Sequence, residues 1–169
     1  MKRHAFFGRY LSGALLTSAV LVADLFIKRL VASFFFLGER VEVIPGFFDL
    51  TYIRNPGVAF GLLSSWDSPL RLPVLLVFSL VALAFILYLY LGPLADKTLP
   101  NVALPFIAGG AIANFYERLT VGAVVDYLDF YVSSYHWPAF NLADASITVG
   151  VALLLLDSLL DRSGATRPL

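Results

Sequence analysis

The stretch LPVLLVFSLVALAFILYLYLGPLA, Leu72 to Ala95, contains no charged residue. A helix crosses the apolar core of a bilayer in about 20 residues, so this run is long enough to span a membrane. Three further segments qualify. Around it the chain offers spans over residues 10–32, with an apolar run continuing from Tyr10 toward Phe36, then 98–117 and 141–160, while the central run takes 71–92. Gly92-Pro93 and Pro100 punctuate the short turn between the second and third spans. The expected fold is an all-α membrane protein of four transmembrane helices, with a small extracytoplasmic β-hairpin after the first, in one domain over 1–169.

Composition agrees with that reading. Hydrophobic residues make up 59% of the chain and charged residues 14%, against about 25% charged in an average soluble domain. Net charge is zero, so no basic field calls for nucleic acid. There is no cysteine, which excludes disulfides, thiolate metal sites and a cysteine nucleophile. The histidines are His4 and His136, and no His-Glu-x-x-His zinc motif occurs. Gly-x-Ser-Gly and Gly-x-Gly-Asp motifs are also absent. No metal or cofactor is expected.

Four spans put both termini on one side. The basic residues divide evenly: Lys2, Arg3, Arg9, Lys97, Arg162 and Arg167 on the terminal side, Lys28, Arg29, Arg40, Arg54, Arg71 and Arg118 on the other. Lys2, Arg3 and Arg9 precede the first span, and the first helix usually sets orientation, so both termini are expected in the cytoplasm. Asp24 interrupts the apolar run near the N-terminus, and no small-residue cleavage site follows, so that run reads as a retained helix.

Residues 37–69 and 119–140 are then the outer connections. Arg40 to Ile44 and Phe47 to Arg54 are rich in β-branched and aromatic residues around Pro45-Gly46, which predicts a hairpin. Tyr127, Tyr131, Tyr135, Trp137 and Trp66 suit the interfacial belt in which amphipathic rings settle.

Acids where apolar helices meet water are the candidates for chemistry, because charge near the membrane is costly to keep. Asp126 lies in the outer connection after the third span and Asp144 in the first turn of the fourth. Both fall near the same bilayer face. Two carboxylates sharing one proton supply a general base and a general acid together. Each acid also has a plainer reading. Asn141 and Asp144 have the spacing of a helix cap and an acid that suits the macrodipole, and Asp126 reads equally as a solvated loop acid. Asp129 reads as an exposed or structural acid. Asn114 and Arg118 are four apart on one helix face, as are Asp24 and Lys28, which read as an ion pair near the membrane surface.

Asp24 with Lys28, Asn55-Pro56-Gly57-Val58-Ala59-Phe60, Gly109-Gly110-Ala111-Ile112-Ala113-Asn114 with Arg118, Val124-Val125-Asp126-Tyr127-Leu128-Asp129-Phe130 and Phe140-Asn141-Leu142-Ala143-Asp144 follow one another along the chain. In this order they resemble the lipoprotein signal peptidases, the bacterial signal peptidase II family. The resemblance covers nearly the whole chain. It implies an aspartic-type endopeptidase of the bacterial inner membrane that removes signal peptides from diacylglyceryl-modified prolipoproteins, immediately before the lipidated cysteine. It further implies Asp126 and Asp144 as the catalytic pair, with Asn55, Gly57, Asn114, Arg118 and Asn141 in substrate binding or support of the site. The implied partners are diacylated prolipoproteins and membrane lipids; an oligomeric partner is not implied.

The third-helix motif departs from the family pattern Gly-Asn-x-x-Asp-Arg. Here Ala113 replaces the glycine and Glu117 the aspartate, which implies altered packing or substrate preference. The alternatives are a specialised paralogue of the peptidase and a non-enzymatic membrane carrier or assembly protein whose acids bind protons or partners.

Overall fold

The computed structural model describes residues 2–57 and 68–165, with side chains described from Gly8 to Gly57 and from Ser68 to Asp161. Trp66 and the Val58-Ala59-Phe60 part of the second motif lie outside the described residues. Among the described residues four helices are long and apolar enough to cross a membrane: α1 (Lys2–Phe34), α2 (Arg71–Leu91), α3 (Thr98–Val121) and α4 (Leu142–Ala165).

Side-chain size decides which helix sits in the middle. Half of the α3 span is buried, against 17% for α1 and α4 and 6% for α2. Small residues let backbones approach closely where lipid supplies no hydrophobic drive between helices. A methyl added at Gly109 would stand 2.8 Å from the Thr17 carbonyl oxygen of α1, and one at Gly110 would run into the Ala143 carbonyl oxygen and Ser146 Oγ of α4. The two glycines thus seat α1 and α4 against α3. More than half of the α2 side chains are exposed and only Leu75 among its residues is fully buried, which suits its apolar sequence to lipid.

The expected hairpin is present as β1 (Arg40–Ile44) and β2 (Phe48–Asn55), paired antiparallel. Gly46 closes its turn at φ 75°, a left-handed conformation that glycine adopts without a Cβ penalty. The sheet extends further than the sequence pattern indicated. Val124–Val132 forms β3, antiparallel to β2, and Tyr135–His136 adds a short β4, giving the order β1-β2-β3-β4. Gly122 ends α3 at φ 79°, its N–H donating to the Arg118 carbonyl at 3.1 Å, and this left-handed cap turns the chain directly into β3.

The sheet covers one end of the bundle. Val31, Tyr52, Val125 and Tyr127 form its buried core, joined by Ile27, Phe35, Leu50, Leu128 and Leu142. Tyr127 therefore departs from the interfacial belt expected of it: it is 3% exposed, and its hydroxyl accepts a hydrogen bond from Leu142 N at 3.0 Å. Tyr135 and Trp137 are exposed as expected, and Tyr131 stacks on His136. At the opposite end Lys97 joins α3 to α4 through Asp157 and Asp161.

Candidate active site

Asp126 sits on β3 opposite Ile53 of β2 and is 2% exposed, so it is a strand residue rather than a solvated loop acid. Each of its oxygens receives an amide donor: Asn55 Nδ2 reaches Oδ2 at 3.0 Å and Asn141 Nδ2 reaches Oδ1 at 2.8 Å. Asp144 is the third residue of α4 and lies half-buried. Its Oδ1 accepts from Asn114 Nδ2 at 2.8 Å, and its Oδ2 accepts from the Asn141 N–H at 3.4 Å.

Asn141 joins the two acids. It is fully buried, and its Oδ1 accepts the Asp144 N–H at 2.9 Å while its Nδ2 holds Asp126. The reciprocal bonds between Asn141 and Asp144 form the capping arrangement that the spacing suggested. Capping and placement beside Asp126 are thus achieved by one pair of residues. Burial pushes the Asp126 carboxyl up to about 7, and the negative charge of Asp144 pushes the same way; Asn55, Asn141 and the Lys28 ammonium pull against them. An ordinary aspartate titrates near 4, so this group keeps a proton at a pH where most carboxylates have lost theirs.

The remaining expected residues gather around this centre. Asn55 Oδ1 accepts the Gly57 N–H at 2.9 Å, closing a local turn, and Arg118 Nη2 donates to the Gly57 carbonyl at 2.9 Å. Arg118 also interacts electrostatically with Asp144, Asp126 and Glu117. Asp129 is kept out of this group by strand geometry, since residues three apart on a strand point to opposite faces. It is buried and structural, held by Arg40 at 2.8 Å and His136 at 3.0 Å.

Asp24 and Lys28 form the expected ion pair, at 2.7 Å, but inside the protein rather than at its surface: they are 0% and 2% exposed. Glu117 joins them, 2.8 Å from Lys28 Nζ, and this was not foreseen as part of the site. Its signal was present in its position one helical turn from Asn114, on the same face of α3. Beside Asp144 opens a groove of about 580 Å³ lined by Asn55, Trp137, Phe140, Thr148 and Val151 among others.

Comparison with known proteins adds a family to this geometry. The family model for signal peptidase (SPase) II matches residues 16–160. The lipoprotein signal peptidase of Geobacter metallireducens is 42% identical over 148 residues, covering 88% of this chain and 90% of the relative. That of Aquifex aeolicus is 44% identical over 138 residues, covering 82% and 80%. A bacterial membrane enzyme structure determined by the in meso method at 2.3 Å resolution superposes with a TM-score of 0.84 at 30% identity, covering 94% of this chain and 93% of that one. With a family model matched over most of its length and relatives well above 30% identity, this chain belongs to the signal peptidase II family.

Proposed function

We propose that this protein is an aspartic-type endopeptidase that removes the signal peptide of diacylglyceryl-modified prolipoproteins, cutting immediately before the lipidated cysteine, with Asp126 and Asp144 as its catalytic residues. The observation that carries this reading is the meeting of two carboxylates around one buried amide, Asn141, with the Asp126 proton affinity raised toward neutrality. Its family names the prolipoprotein substrate: the relatives are lipoprotein signal peptidases.

The chemistry follows from one proton on the pair. The ionised carboxylate takes a proton from water as its oxygen adds to the scissile carbonyl, while the protonated carboxyl gives its proton to the carbonyl oxygen. The tetrahedral intermediate then collapses: one of its hydroxyls returns a proton to the pair as the carbonyl re-forms, the C–N bond breaks, and the departing nitrogen takes a proton from the pair. One proton again remains, and the pair is ready for another turnover. Asn55 and Asn141 keep Asp126 in place, Asn114 keeps Asp144, and Arg118 with Gly57 shapes the backbone beside them.

The groove next to Asp144 is lined mainly by apolar side chains of α4 and by Trp137 to Phe140, a surface suited to a substrate that lies in lipid. With both termini in the cytoplasm, the sheet and the acid pair face outward, at the depth where a diacylated cysteine would hold the scissile bond. Each CH₂ of such a chain contributes about 0.8 kcal/mol to anchoring.

Incubation of the purified protein with a diacylated prolipoprotein and with its unlipidated counterpart tests the reading. Cleavage confined to the lipidated form, with the new N-terminus at the modified cysteine, is expected. Equal turnover of both, or none of either, contradicts it.

A further inference from the structure

The backbone N–H of the residue just before each acid is held by a buried carboxylate. Val125 N, next to Asp126, donates to Glu117 Oε2 at 3.2 Å, and Ala143 N, next to Asp144, donates to Asp24 Oδ1 at 2.9 Å. Those two carboxylates meet at one cation. Lys28 Nζ stands 2.7 Å from Asp24 Oδ2 and 2.8 Å from Glu117 Oε2, and donates at 2.9 Å to Asn114 Oδ1, whose amide nitrogen binds Asp144. Three oxygens thus surround the ammonium, two of them carboxylate oxygens and the third the Asn114 carbonyl that accepts its hydrogen bond.

The geometry points to Lys28 as a positioning residue that clamps β3 to α4 and thereby sets the spacing and proton affinity of the acid pair. This inference rests on the peptidase reading for its catalytic consequence. The elements involved are α1, which carries Asp24 and Lys28, α3, which carries Asn114 and Glu117, and the two segments that carry the acids. Removing ions from water is costly unless the pairing is close and the remaining polar atoms are used; here Asp24 turns its other oxygen to the Ala143 amide, and Glu117 Oε2 holds the Val125 amide as well as facing the ammonium. Glu117 Oε2, projecting from α3, reaches both the ammonium and the Val125 amide.

The charged and titratable groups facing this cluster are Asp24 on α1, Glu117 and Arg118 on α3, Asp126 and Tyr127 on β3 and Asp144 on α4. The Lys28 charge lowers the Asp126 proton affinity against the stronger opposing pushes of burial and Asp144. Removing the cation and removing its counter-ion should therefore move Asp126 in opposite directions.

Two variants test this: Lys28→Gln removes the cation, and Glu117→Gln keeps length and an acceptor for Val125 N while leaving Lys28 less compensated. Asp126 is titrated by carbon-13 NMR of labelled aspartate, assigned with Asp126→Asn, in micelles holding the intact protein. The pH profile of kcat on a diacylated peptide is recorded beside it. The expected result is an Asp126 midpoint raised by about one pH unit in Lys28→Gln and lowered in Glu117→Gln, with kcat reduced at least tenfold in Lys28→Gln and KM little changed. A purely structural role predicts no opposed shift. Unmoved midpoints, or midpoints moving the same way in both variants, overturn the inference. If Lys28→Gln fails to fold, the downward shift in Glu117→Gln decides alone, and its absence overturns the inference. Wild-type protein that titrates as described but cleaves nothing overturns the peptidase reading and leaves the clamp standing.

Discussion

Asp126 and Asp129 show how far two residues of the same kind, three apart on one strand, are driven apart by their surroundings. Asp129 meets Arg40 and His136, whereas Asp126 meets two neutral amides and the charge of Asp144. Asp129→Asn leaves Arg40 and His136 with solvent to turn to, their side chains being 46% and 37% exposed. That variant should lose about 1 kcal/mol of stability and keep most of its turnover, as read by thermal unfolding and by peptide cleavage. Asp126 should instead show itself in pH dependence. Its proton is lost as pH rises through about 7, so activity should decline across that interval as the pair becomes doubly ionised. Linkage gives a matching sign. The folded carboxyl binds its proton more tightly than the ordinary value of 3.8 allows, so its contribution to stability is present below about pH 4 and lost as pH rises to about 7. Asp126→Asn removes that loss. Its thermal midpoint should exceed the wild-type value at pH 8, and the gap should close toward pH 4.

At the scale of elements, helices were more legible than the sheet. The spans read from apolar runs coincide with α2 to one residue, 71–92 against Arg71–Leu91, and the start of α3 is the same residue. Apolar runs of that length have few alternatives in a membrane. The hairpin was legible as well, because Pro45-Gly46 between β-branched segments is a local signal. β3 was not: Val124 to Val132 carries β-branched and aromatic residues too, but its partner β2 lies about seventy residues earlier, with no local turn to join the two. Without β3, Asp126 reads as a loop acid. The site residues carried by family motifs do converge around Asn141, but Glu117 was legible only as a departure from a pattern. Its role depends on α1 passing α3 closely enough for Lys28 to reach it. Gly109 makes that packing possible, and Gly110 does the same for α4 against α3, which gives a prediction at this scale. Gly110→Val would press into the Ala143 carbonyl and Ser146, costing about 1–3 kcal/mol by overpacking. Since Ala143 adjoins Asp144, activity should fall along with the thermal midpoint. A Gly110→Val protein with unchanged activity would show that α4 does not need its close seat on α3.

The whole molecule places two acids from separate elements at one end of a four-helix bundle, under a sheet with exposed apolar side chains such as Val41, Val43 and Phe47. That arrangement makes sense if the end faces the outer leaflet. Reporter fusions at Ser133, between β3 and β4, should report the outer side of the membrane, and a cytoplasmic signal there would reverse the proposed orientation. At that end Asp126 and Asp144 are proposed to act as one catalytic unit. Turnover of a single diacylated peptide by wild type, Asp126→Asn, Asp144→Asn and the double variant, all shown to be folded and inserted, tests it most directly. Residues that act together lose their effect together. Each single variant should fall by about a thousandfold or more, with the double variant little worse than either. Wild-type turnover in Asp126→Asn or in Asp144→Asn would contradict the account.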